Sequence, residues 1–140
     1  MKTCLIIDDS PVIREIAARM VTELGLKPWE AENAASAVDQ CRAESPDVVL
    51  LDWDLPSMGA LDFLHGMSEL KLEKRPEIIL CATENDPQQF TLAKAAGAPH
   101  HVLKPFDKNI IAAKLVEIGL LDESAAPPKT EEGPQARRKV

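Results

Sequence analysis

No run of apolar residues in this 140-residue chain approaches the roughly 20 needed to span a bilayer. The opening Met1-Lys2-Thr3 leads straight into an apolar segment, with no charged leader or cleavage site before it. Together these absences predict a cytoplasmic protein without membrane insertion. Cysteine is scarce: Cys4, Cys41 and Cys81 are odd in number, widely spaced and set among apolar neighbours. That pattern fits buried, reduced thiols better than a disulfide framework or a zinc cluster. Positive charge is in deficit, with 16 Lys and Arg against 23 Asp and Glu and a formal net charge of -7. Such a balance argues against general affinity for nucleic acid or anionic membranes.

What is present suffices for one domain with a full core, since 45% of the residues are hydrophobic. From Asp122 onward periodicity is lost and Pro and Gly accumulate, so 122–140 reads as a disordered C-terminal tail with a basic end, following a domain over 1–121. The tail's acids (Asp122, Glu123, Glu131, Glu132) balance its bases (Lys129, Arg137, Arg138, Lys139), so the whole net charge belongs to the domain.

The domain is organised around Val48-Val49-Leu50-Leu51-Asp52-Trp53-Asp54. Four consecutive apolar residues read as a strand buried on both faces, ended by an acid before Leu55-Pro56-Ser57 breaks regular structure. Asp8-Asp9 closes a similar strand, Thr3 to Ile7. If the two strands are neighbours, three carboxylates meet at the sheet edge where ligands of open α/β sheets bind. Unit charges about 4 Å apart repel by roughly 1 kcal/mol in water and about 4 at an effective dielectric of 20. Such a cluster calls for a divalent metal and a lysine.

Along the chain, Ser10 caps a helix with Pro11 at its first position and Ile13, Ile16, Ala17, Met20 and Leu24 on one face, stopped by Gly25. Lys27 to Ala31, with Pro28 inside it, is tolerable as a strand only at a sheet edge. Asn33 opens a second helix to about Glu44, and Ala60 to about Leu70 forms a third with Leu61, Leu64 and Met67 on one face. Pro76 to Ala82 holds a fourth strand. Asp86-Pro87-Gln88-Gln89 is a helix start in which Gln89 fits a capping box, and Gly97 ends that helix. His100 to Leu103 is a short fifth strand, Lys104-Pro105 breaks it, and Asp107 caps a last helix carrying Ile111, Leu115 and Ile118. Five alternations of strand and helix predict an α/β fold, a doubly wound parallel sheet with helices on both faces.

Asp8-Asp9, Leu51-Asp52-Trp53, Gly97-Ala98 and Lys104-Pro105-Phe106, at these spacings, resemble the receiver domain of two-component response regulators, and most of all single-domain chemotaxis regulators of the CheY type. The resemblance covers about residues 1 to 121 and implies a flavodoxin-like (βα)5 sheet of order 2-1-3-4-5. It implies that Asp52 accepts a phosphoryl group, that Asp8, Asp9, Asp52 and the backbone carbonyl of Asp54 hold Mg²⁺, and that Lys104, before a cis Pro105, pairs with the phosphoryl group. The implied partners are a histidine kinase or phosphotransfer protein and a chemotaxis target or the flagellar motor. A regulator rather than an enzyme is expected.

The chain departs from the family pattern in three places. Receivers carry Ser or Thr at the end of strand four, where this chain has Ala82, with Thr83 one place later and able to serve only if the strand end shifts. His101 stands where the family has the strand-five aromatic of the switch and partner face. Leu55-Pro56-Ser57-Met58-Gly59-Ala60 replaces the family's Met-Pro-x-Met-Asp-Gly. Some CheY-like proteins bind cyclic di-GMP through an arginine-rich C-terminal extension, and Ala136-Arg137-Arg138-Lys139 resembles a short version, making Arg137 and Arg138 candidate ligands. Leu51-Asp52-Trp53-Asp54 also contains the Asp-x-Asp of haloacid-dehalogenase-like phosphatases. Pro56 occupies the place where that motif closes with Thr or Val, which argues against this reading.

Overall fold

The computed structural model describes residues 1–122 and divides the chain into two compact units, the first ending at Phe106 and the second starting at Asp107. The first unit carries β1 (Thr3–Ile7), α1 (Pro11–Glu23), β2 (Lys27–Ala31), α2 (Ala34–Ala43), β3 (Val48–Asp52), α3 (Gly59–Ser68), β4 (Glu77–Ala82), α4 (Pro87–Ala95) and β5 (His100–Leu103). The described part of the second carries α5 (Lys108–Ile118), with Ile111, Ala112 and Leu115 buried and Ile118 half-buried. All five strands are parallel, in the expected order β2-β1-β3-β4-β5.

The burial of β3 follows from its place at the centre. Every residue from Val48 to Asp52 is buried, because β1 and β4 flank the strand and helices cover both faces. Leu5, Ile7, Val49, Leu51 and Leu80 pack with Ala37, Cys41, Phe63, Leu64, Met67 and Ala93 from α2, α3 and α4. The alternate residues Ile6, Leu50 and Cys81 face the side of Ile13 and Ala17 on α1. This is the period-two alternation of a sheet buried on both sides. Pro28 lies in β2, at the sheet edge where a missing N–H is tolerated. Cys4, Cys41 and Cys81 are buried free thiols, as expected, and burial pushes the Cys41 thiol up to about 11.

The caps form at the expected residues: Ser10 Oγ accepts from Ile13 N, Asn33 Oδ1 from Ser36 N, Asp86 Oδ1 from Gln88 N and Asp107 Oδ1 from Ile110 N. Three details differ from the sequence reading. On α1 the buried residues are Ala17 and Val21, whereas Ile13 and Ile16 stay 39% and 42% exposed. The third helix begins at Gly59, after a short 3-10 turn over Pro56–Met58, and ends at Ser68; Arg75 closes it by donating to Met67 O and Leu70 O. Gln89 does not complete a capping box through its side-chain oxygen, which accepts from Trp53 Nε1 instead.

Candidate functional site

The carboxyl ends of β1, β3 and β5 deliver Asp8, Asp52 and Lys104 to one edge of the sheet. Asp8 follows β1, its N–H donating to Ala31 O of β2 at 3.2 Å and its Oδ1 accepting from Ser10 N at 2.9 Å. Asp52 is the last residue of β3, opposite Cys81 in the register with β4, and its Oδ1 accepts from Asp54 N at 3.0 Å. Lys104 follows β5, its N–H donating to Ala82 O at 2.7 Å, and the Lys104–Pro105 peptide is cis, as the resemblance implies. Lys104 Nζ lies 2.8 Å from Asp52 Oδ1 and 3.5 Å from Asp8 Oδ2.

Asp8 and Asp52 are 5% and 4% exposed, the two buried charged residues among the described residues, and Asp9 is exposed. One oxygen from each of the three lies within 4.8 Å of the others. Three carboxylates against one ammonium leave the cluster net negative. Burial pushes the Asp52 carboxyl above its usual range, against the opposing pull of Lys104 and the Asp54 N–H. Burial would lower the Lys104 ammonium, but the bond to Asp52 and the charges of Asp52 and Asp8 outweigh it and raise it. The donor set is all hard oxygen, compact and under-neutralised, and so fits a Mg²⁺-sized dication.

The remaining candidates fall around this cluster. Asp54 lies on the turn after β3, where Thr83 Oγ1 donates to its Oδ2 at 3.1 Å. β4 ends at Ala82, which pairs with Leu103 and is buried, so the strand end does not shift to bring Thr83 into the vacant hydroxyl position. His101 is half-buried, its ring stacked on Phe90 of α4 with centroids 3.9 Å apart and planes 16° apart. Arg137 and Arg138 lie outside the described residues. Beside the cluster, Ile13, Ile16, Ala17, Met20, Thr83, Lys104, Pro105 and Phe106 line an open, mostly apolar cavity of about 410 Å³.

Sequence reasoning missed Arg14. Its Nη1 donates to Asp8 O at 2.7 Å and its Nε to Glu30 Oε1 of β2 at 3.0 Å. Nothing in the sequence pairs residues 14 and 30, which lie on α1 and β2 and meet only in the folded chain.

Residues 4–116 match the family model of the response regulator receiver domain. The chain is 32% identical to a chemotaxis protein CheY homolog of Campylobacter jejuni over 117 residues, covering 81% of this chain and 89% of that protein. It is 26% identical to the phosphate regulon transcriptional regulatory protein PhoB of Escherichia coli over 111 residues, but spans only 48% of that protein's length. Among solved structures, the chemotaxis response regulator CheY4 of Vibrio cholerae superposes with a TM-score of 0.77 at 24% identity, over 84% of this chain and 98% of that one. That last likeness is one of fold.

Proposed function

The chain belongs to the response regulator receiver domain family, and from that premise we propose that residues 1–121 act as a CheY-like receiver whose phosphoacceptor is Asp52. The observation that carries this reading is the Lys104–Asp52 contact of 2.8 Å beside Asp8, at the sheet edge formed by β1, β3 and β5. An Asp52 carboxylate oxygen attacks the phosphorus of a phosphohistidine on a histidine kinase or phosphotransfer protein. The P–O bond forms as the P–N bond breaks, and the donor imidazole leaves. Both bonds to Asp52 fall on Oδ1, so attack through Oδ2 leaves them intact. Lys104 is within reach of the incoming phosphoryl oxygens and offsets their charge.

Asp8, Asp9, Asp52 and the Asp54 carbonyl are the residues that would hold Mg²⁺. When bound, it would supply the positive charge that the equatorial phosphoryl oxygens need. The output is a protein–protein interaction in the cytoplasm with a chemotaxis target or the flagellar motor; the relation to the Campylobacter chemotaxis protein supports the chemotaxis part of this reading. His101 and Phe90 belong to the face that changes. A phosphatase or cyclic di-GMP function gains no observation among the described residues.

The test is intact-mass spectrometry after incubation with phosphoramidate and MgCl₂. One added phosphoryl group in the parent and none in Asp52→Asn is the expected result. Absence of labelling in the parent, or equal labelling of the variant, overturns the reading.

A further inference from the structure

We propose that Arg14 is a positioning residue for the dication site, with Glu30 serving to neutralise it. The inference rests on the reading of Asp8, Asp9 and Asp52 as that site. Asp9 is exposed, so its carboxylate is not held by burial as those of Asp8 and Asp52 are. What can hold it is the backbone it departs from. Asp8 N–H is tied to Ala31 O, and Asp8 Oδ1 to Ser10 N. The Asp8 carbonyl is the oxygen that receives Arg14 Nη1 at 2.7 Å. That carbonyl belongs to the planar peptide leading into Asp9, so the guanidinium fixes the plane from which Asp9 leaves. The same guanidinium reaches Glu30 through Nε at 3.0 Å and is only 15% exposed. A planar fork can serve both acceptors at once, which a lysine ammonium on a flexible stem does less well.

The two roles an arginine could play here predict opposite signs. As a bare cation beside a dication site, Arg14 would repel Mg²⁺, and its removal would tighten binding. As a positioning residue it holds Asp9 in register, and its removal weakens binding. The Glu30 partner makes the second role affordable by cancelling the charge.

Titrating the full-length protein with MgCl₂, followed by NMR amide shifts at Asp8, Asp9 and Asp52, decides between them, with thermal melts confirming that each variant is folded. Arg14→Met is expected to weaken Mg²⁺ binding about tenfold, the scale of losing an outer-shell partner. Arg14→Lys, which keeps the charge but loses the planar fork, should weaken it several-fold. Unchanged or tighter binding in Arg14→Met overturns the inference. If that variant does not fold, unchanged binding in Arg14→Lys overturns it. Absence of saturable shifts in the parent overturns the dication reading itself, and the inference with it.

Discussion

Thr83 Oγ1 donates to Asp54 Oδ2 at 3.1 Å, one residue past Ala82, the last residue of β4. The hydroxyl therefore serves the turn after β3, and Ala82 leaves strand four without one. We expect Ala82→Thr to strengthen communication between Asp52 and strand five. Beryllofluoride with Mg²⁺ should shift the His101 ring resonances further in the variant than in the parent. Ala82 is 1% exposed, so the added atoms should destabilise the fold by about 1–3 kcal/mol. Equal His101 shifts in both proteins would sink the idea.

Asp52 titrates in a direction that sets its own stability signature. Because burial raises its folded carboxyl above the unfolded value, the folded chain binds that proton more tightly. Its contribution therefore becomes less favourable as pH rises from acid through the folded value. Without divalent metal, Asp52→Asn should be at least as stable as the parent at pH 7, with the advantage shrinking in acid. At ten times its dissociation constant, Mg²⁺ should stabilise the parent by about 1.4 kcal/mol and the variant hardly at all. Urea unfolding with and without MgCl₂ measures both effects.

Asp47 behaves in the opposite sense at the other end of the sheet. Burial alone would raise its carboxyl, but Thr3 N–H at 2.8 Å, Lys74 and the Thr3 hydroxyl outweigh burial and hold it below the usual range. A depressed carboxyl contributes stability that is present above about pH 4 and lost as pH falls through the folded value. Lys74 is 75% exposed and adds little, so the Thr3 bonds carry the effect. Asp47→Ala should cost about 1.5–3 kcal/mol at pH 7, and its stability should converge on the parent's in acid. A gap that persists unchanged at low pH would show that the charge is not the cause.

Gly66 lies inside α3, where alanine would ordinarily add about 1 kcal/mol of helix propensity. A Cβ there would meet Val38 Cγ2 at 2.8 Å, and a helical valine has little rotamer freedom with which to yield. Gly66→Ala should destabilise the parent by about 1 kcal/mol but stabilise a Val38→Ala background by a similar amount. The inversion of sign, read by chemical denaturation, is the diagnostic result.

The sheet and the charged cluster were legible because their signals are local. A strand that ends in an acid and a Lys-Pro break after the last strand each mark a strand exit, and exits of a parallel sheet share one edge. Pro28 was legible as an edge marker for the same reason. Ile13 and Ile16 were misjudged because helical spacing gives the direction of an apolar stripe, not how much of it is covered. The Gln89 capping box was overruled by Trp53, a partner 36 residues away that no window on α4 contains. Arg14 escaped notice because both of its partners, the Asp8 carbonyl and Glu30, lie off its own helix.

The bonds joining Lys104 to Asp52 and to Asp8 close 52 and 96 residues of chain. Contacts of that span form late, because the entropy of loop closure is met before they contribute. During synthesis Asp8 and then Asp52 emerge without their ammonium, which arrives only with residue 104. Until β5 joins the sheet, Asp8 and Asp52 face each other without the Lys104 ammonium, whatever fraction of the other strands has formed. The carboxylate edge thus stays without this counter-charge until the chain has been made through residue 104 and β5 has taken its place beside β4.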